Sequence, residues 1–249
     1  MKGFILSLFF IFLFHLRKGG KEVVLKLGTS KCIVHVYKNK RKTISVVRLH
    51  PNENTCIRSF FQLPSKNHFA LYQLSQRGKR LLEYRLHNRV YYFDPNRIFS
   101  KRGIINILKE HNLHFPKSLV NKIAVFSKKL LATAHITNSS KHIIAIHNNS
   151  NGEFSVETYS RYSKVASHFI SHSKDADDFF IVTSISDFKF FKKHNENVVL
   201  QSKYAKDDGS LSVFCQRHNI PYINVEAQYG HIQRQKKMLL LCEKLLTTH

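Results

Sequence analysis

Ile143-Ile144-Ala145-Ile146-His147 is the stretch on which the fold turns. A short, continuous apolar run rich in β-branched residues reads as a buried strand, and a histidine closes it. In open α/β sheets the ligand crevice lies outside the carboxyl ends of the strands, so a histidine in that position stands where a site would be built.

Outward from it, β-branched and aromatic runs alternate with helical patterns, the mark of an α/β domain around a largely buried sheet. The strands predicted with it are Glu22–Leu27, Cys32–Tyr37, Thr43–Leu49, Leu82–Phe93, Phe179–Val182, Asn197–Leu200 and Tyr222–Val225. The predicted helices are Arg102–His111, Leu119–Thr137, Tyr162–Ser171 and His231–Thr247. With 249 residues, 43% of them apolar, the chain can fill one sizeable core and is short for two. No internal repeat, low-complexity linker or composition step marks a boundary. The expectation is α/β: one domain over residues 21–249, with a central mixed, largely parallel sheet of eight strands flanked by helices.

Residues 1–20 read differently. The apolar run Phe4–Phe14 has the length and position of a signal-peptide core and is too short to span a bilayer comfortably. An exported protein, periplasmic or extracellular, is expected. Arg17, Lys18 and Lys21 directly after the run resist translocation, and no small-x-small cleavage site follows, so an uncleaved N-terminal anchor is the alternative.

Forty Lys and Arg stand against sixteen Asp and Glu, a formal net charge of +24. Such a field attracts polyanions and steers anionic substrates, but its residues are scattered (Lys38, Lys40, Arg41, Lys42; Lys128, Lys129; Lys192, Lys193; Lys236, Lys237), as on a solvated cationic surface. No nucleic-acid motif appears. Cys32, Cys56, Cys215 and Cys242 form no Cys-x-x-Cys pair, which speaks against a zinc ribbon; free buried thiols are favoured over disulfides.

His50 also closes a strand, and Glu53 follows within one loop turn. Two histidines and a carboxylate are a ligand set for catalytic zinc, which takes three protein ligands and keeps a fourth position open. Asp94-Pro95-Asn96-Arg97-Ile98-Phe99 ends an aromatic-rich strand, and an arginine fork beside an amide suits a bidentate grip on a carboxylate. A turn with Asp94 on backbone amides and Arg97 paired to an acid is the alternative. Asn224-Val225-Glu226 puts a carboxylate in an apolar strand, where it must be paired or functional; a general base and a salt-bridged Glu both fit. Asn148-Asn149-Ser150-Asn151-Gly152 either lines a pocket with amide donors or is a plain turn, and Asp207-Asp208-Gly209-Ser210 reads as a surface turn or a receiver of a substrate amine.

In this order, His50-Pro51-Asn52-Glu53, Asp94-Pro95-Asn96-Arg97-Ile98-Phe99, Ile146-His147-Asn148-Asn149 and Asn224-Val225-Glu226 resemble the zinc carboxypeptidase superfamily, in particular its aspartoacylase/succinylglutamate desuccinylase-like and cell-wall carboxypeptidase-like branches. The resemblance implies a carboxypeptidase-like fold and one Zn2+ per chain on His50, Glu53 and His147. It implies Asn96 and Arg97 on a substrate carboxylate, and Glu226 as general base and acid. The arginine that assists the oxyanion is then Arg80 or Arg85, and Tyr229 is a candidate beside the substrate. The expected activity is hydrolysis of an amide bond in a small peptide or N-acyl amino acid with a free carboxylate. An anionic cell-wall (peptidoglycan) peptide is the target suggested by export and charge, with membrane contact through the N-terminal segment alone. The reading from a different class is a basic protein that binds nucleic acid or another polyanion without catalysis.

Overall fold

The computed structural model describes residues 20–38, 44–136, 141–161 and 165–247; the apolar run Phe4–Phe14, expected to be a signal peptide or anchor, lies outside the described residues. Numbered in chain order, the strands are β1 (Lys21–Leu27), β2 (Ser30–Tyr37), β3 (Ile44–Arg48), β4 (Phe69–Ser75), β5 (Leu82–Leu86), β6 (Arg89–Phe93), β7 (Ile143–Asn149), β8 (Val165–Phe169), β9 (Phe179–Val182), β10 (Val198–Gln201) and β11 (Tyr222–Gln228). Nine of them form one mixed sheet in the order β1-β2-β4-β3-β7-β11-β9-β10-β8. Its centre, β4-β3-β7-β11, is parallel, and antiparallel pairings flank it on both sides.

Helices cover both faces, as burial of the central strands requires. They are α1 (Asn54–Phe61), α2 (Lys101–His111), α3 (Lys117–Thr133), α4 (Val156–Ser160), α5 (Ile185–Lys193), α6 (Leu211–Arg217) and α7 (Ile232–Thr247). Strand alternation divides the core. Val47, Ala145 and Tyr222 pack with α2, α3, α6 and the β5–β6 hairpin. Val46, Ile144, Ile146, Ile223 and Val225 pack on the other face with α1, α5 and α7.

The strand carrying Ile143–Ile146 is the sheet's middle strand, and seven of the eight predicted strands lie in this sheet. Three expectations are corrected. Leu82–Phe93 is not one strand but the hairpin β5–β6, a separate two-stranded sheet. Its turn residues His87 and Asn88 both take positive φ (47° and 60°), the geometry of a two-residue hairpin turn, here without the glycine that usually announces it. Within the predicted helix Tyr162–Ser171, whose first three residues lie outside the described ones, Val165–Phe169 is not helical but the edge strand β8. Val165 and Phe169 are four residues apart, an even spacing that satisfies both the strand and the helix period. Finally, Phe69–Ser75 is a sheet strand buried between β2 and β3, so the sheet has nine strands. All four cysteines are buried free thiols, and burial pushes each thiol pKa up.

Two glycines let the segment after β6 dock on the loop before α6. A Cβ on Gly103 would lie 2.3 Å from Gly209 Cα, and one on Gly209 would lie 2.4 Å from Arg97 O. Phe99 N–H donates to Gly209 O at 3.0 Å, and Ser100 Oγ caps α2 through Gly103 N–H while donating to Asp207. Gly209 also holds φ at +74°. Substitution Gly209→Ala is therefore expected to cost more than about 1 kcal/mol, read as a lower denaturant midpoint at unchanged slope.

Candidate metal centre and active site

At the carboxyl ends of β3, β7 and β11 the sheet opens into a cavity of about 500 Å³. His50, Glu53 and His147 meet on its floor, all buried. His50 follows β3; Glu53 ends the next turn, its N–H donating to His50 O at 3.2 Å, and directly precedes α1. His147 lies on β7, on the same face as Ala145.

Glu53 Oε1 is 2.8 Å from His50 Nδ1, Glu53 Oε2 is 3.0 Å from His147 Nδ1, and the two Nδ1 atoms are 3.2 Å apart. On its other side, His50 Nε2 lies 2.8 Å from Asp94 Oδ1. A carboxylate there can only accept, so Nε2 carries a proton, and Nδ1 is the nitrogen that faces Glu53 and is left to ligate once its own proton is displaced. His50 Nδ1, His147 Nδ1 and the Glu53 carboxylate thus converge on one point, where shared protons or a bound cation can hold them together. Burial disfavours a charged His50 ring, yet the Glu53 and Asp94 carboxylates outweigh it and bring its pKa up to about 9. Burial likewise opposes ionisation of Glu53 and Asp94; His50 and His147 more than reverse that at Glu53, and His50 with Arg80 and Arg97 at Asp94, holding both below the usual carboxylate range.

The donor set fits a divalent metal. Tetrahedral zinc with bonds of 2.0–2.1 Å separates its ligand atoms by about 3.3 Å, close to the spacings of 2.8, 3.0 and 3.2 Å found here. Asp94 supplies the outer carboxylate that fixes a ligating imidazole's tautomer and ring orientation. Asp94→Asn should weaken metal affinity about 10–100-fold in chelator competition, with the fold retained.

Glu226 faces this group from the next strand. β11 and β7 pair in parallel with Glu226 opposite His147, so ladder hydrogen bonds set their separation. The carboxyl is buried, its Oε1 accepts from Asn224 Nδ2 at 3.1 Å, and no basic residue pairs with it among the described residues. Burial raises its pKa, His147 pulls it down and Glu53 adds to the rise, for a net upward shift. The salt-bridged alternative is set aside.

The Asp94–Phe99 segment lines the adjoining wall. Asp94 Oδ1 accepts from Asn96 N–H as a turn residue would, besides holding His50. Asn96 Oδ1 accepts from Leu211 N–H at 3.0 Å, which leaves its Nδ2 to donate. Arg97 Nη1 donates to Asn96 O at 2.8 Å, and no carboxylate pairs with Arg97 among the described residues. Arg80 sits half-exposed at the mouth, its Nη1 3.2 Å from Glu53 Oε1 and its Nη2 3.3 Å from Asp94 Oδ2. Tyr229, 61% exposed, stands on the rim.

One sequence candidate is placed elsewhere: Arg85 lies on the β5–β6 hairpin beside Glu83, in a different cleft, so only Arg80 of the two arginines reaches the site. Asn148 lines the cavity, and its amide is held by the scaffold: Oδ1 accepts from Cys56 N–H in α1, and Nδ2 donates to Ala227 O and Gln235 Oε1. It alternates with His147 along β7, which turns it toward α1 and α7. Asp207 and Asp208 bind their own loop and Arg217. Conversely, Asp94 as the partner of His50 and Asn224 as the partner of Glu226 emerge only in three dimensions, although Asn224 stands two residues before Glu226, the spacing that puts side chains on one face of a strand.

Neither a comparison with protein-family models nor one with curated protein sequences returns a match. Solved structures do align. Thrombin activatable fibrinolysis inhibitor matches with a TM-score of 0.47 at 15% identity, over 93% of this chain and 72% of its own. A "putative metallopeptidase" from Shewanella denitrificans matches at 0.44 and 10% identity, over 90% and 84%. A "putative succinylglutamate desuccinylase/aspartoacylase" from Shewanella frigidimarina matches at 0.41 and 10%, over 89% and 70%.

Proposed function

We propose that the protein is a zinc-dependent hydrolase that cleaves an amide bond in a small peptide or N-acyl amino acid bearing a free carboxylate. The observation that carries this reading is the convergence of His50 Nδ1, His147 Nδ1 and the Glu53 carboxylate at 2.8–3.2 Å, backed by Asp94, in a cavity shared with Glu226 and Arg97. Zinc held there lowers the pKa of a water and polarises a carbonyl.

The chain's own groups do the rest. Glu226, buried and held above the ordinary carboxylate range, takes a proton from the attacking water and returns it to the leaving amine. Asn224 anchors Oε1, so Oε2 is the oxygen left to move the proton. Arg97 and the Asn96 amide receive the substrate carboxylate, and Arg80 offers positive charge at the mouth where an oxyanion develops. Tyr229 is placed to cover the bound substrate. The cationic surface and the apolar leader support an anionic cell-wall peptide as the target; N-acyl amino acids are the rival substrate.

Assay of purified protein on both substrate classes, with and without chelator, tests the reading. Chelator-sensitive release of a carboxylate-bearing product is expected, and cleavage of neither class counts against it. Arg97→Ala should raise KM about 10–100-fold, the loss of a charge-assisted hydrogen-bond pair. The same variant should leave a substrate methyl ester unaffected.

A further inference from the structure

A second cleft, of about 310 Å³, opens beside the loop joining β4 to β5. Its walls carry Lys31, Arg77 and Arg85 together with the hydroxyl-bearing Thr29, Ser30 and Ser75. One acid serves the two guanidiniums: Glu83, itself buried, lies 3.1 Å from Arg77 Nη1 and 3.5 Å from Arg85 Nη2. Each guanidinium carries five N–H donors in a fixed fork, and a single carboxylate cannot use them all. Lys31 adds a third cation and faces Lys26 across the β1–β2 ladder, so no acid opposes it there. Three cations therefore line one cleft, with a single acid beside two of them, against their mutual repulsion.

The wider surface reinforces this. Of the chain's 16 acidic residues, eight are buried, so the exposed face is more cationic than the composition alone conveys. The loop also links the two openings, because Arg77 lines the cleft and Arg80 lines the metal-ligand cavity.

We propose that this cleft is an oxyanion-binding site, taking a carboxylate or phosphate group of an acidic ligand between Lys31, Arg77 and Arg85. The planar arginine forks suit a bidentate oxyanion, and the three hydroxyls can donate to its remaining lone pairs. Binding here requires no turnover, so it stands or falls independently of the hydrolase reading.

The test is calorimetric titration of the full chain with inorganic phosphate and, separately, with hexaglutamate, at low and at raised salt. Lys31→Glu leaves both Glu83 pairs intact and keeps the test open if Arg77→Ala/Arg85→Ala fails to fold; Lys192→Ala/Lys193→Ala on α5 is the surface control. The cleft variants should lose at least about tenfold in affinity, and each removed charge should flatten the salt dependence by about one unit of log–log slope or slightly less. The control should change affinity less than about twofold. Binding of phosphate alone assigns a phosphate ligand, binding of hexaglutamate alone a carboxylate one, and either supports the site. Absence of binding by both, or equal losses in the control and the cleft variants, would overturn it.

Discussion

His147→Ala will abolish metal binding: elemental analysis should find about one zinc per wild-type chain after purification in its presence and essentially none in the variant. His147 contributes one of three converging donors, and no other histidine among the described residues joins the group to replace it. Hydrolysis should fall with the metal, because water activation and carbonyl polarisation are lost together. Circular dichroism guards against the trivial outcome, since the truncation leaves a hole beside Glu53 on the sheet's middle strand. A folded wild-type protein that takes up no zinc would end the hydrolase reading and leave polyanion binding as the better account of the basic surface.

Glu226→Gln should separate chemistry from binding. The amide keeps the shape of the side chain and can still partner Asn224, but it cannot take a proton. A drop in kcat of about 10²–10⁴-fold is expected, the usual worth of a positioned general base, with KM and zinc content near wild type. Equal loss of metal would instead mean that Glu226 supports the ligand set. An unchanged kcat would remove it from the mechanism.

The sheet's middle was legible because its strands are buried on both faces and so appear as unbroken apolar runs, Ile143–Ile146 most clearly. Where two physical periods agree on the same residues, legibility failed: Val165 and Phe169 suit a strand and a helix alike. The β5–β6 turn escaped because His87-Asn88 reaches positive φ without glycine. Helix α1 was missed because its buried apolar side chains, Cys56 and Phe60, span little more than one turn. At the site, His50, His147 and Glu226 could be picked out because each closes or breaks an apolar run, while Glu53 and Arg97 were picked out from their place in His50-Pro51-Asn52-Glu53 and Asp94–Phe99. Asp94's bond to His50 joins residues 44 positions apart, and only the meeting of the turns that follow β3 and β6 brings it about. Asn148 lines the cavity as its place after His147 suggests, but the amide bonds that tie it to α1 and α7 join residues about 80 to 90 positions apart and leave no sequence signal.

The in-register pairing of Glu226 with His147 has an evolutionary consequence. Set directly opposite each other on adjacent strands, the two cannot drift separately, since a one-residue slip of either strand would turn its whole row of side chains to the opposite face. On the proposed reading, ligand and proton acceptor are thereby kept together as a block. Change is left to the rim, where Tyr229, Arg80 and the turn after β7 line the opening, so that substitutions there should alter which substrate is taken before they alter the reaction.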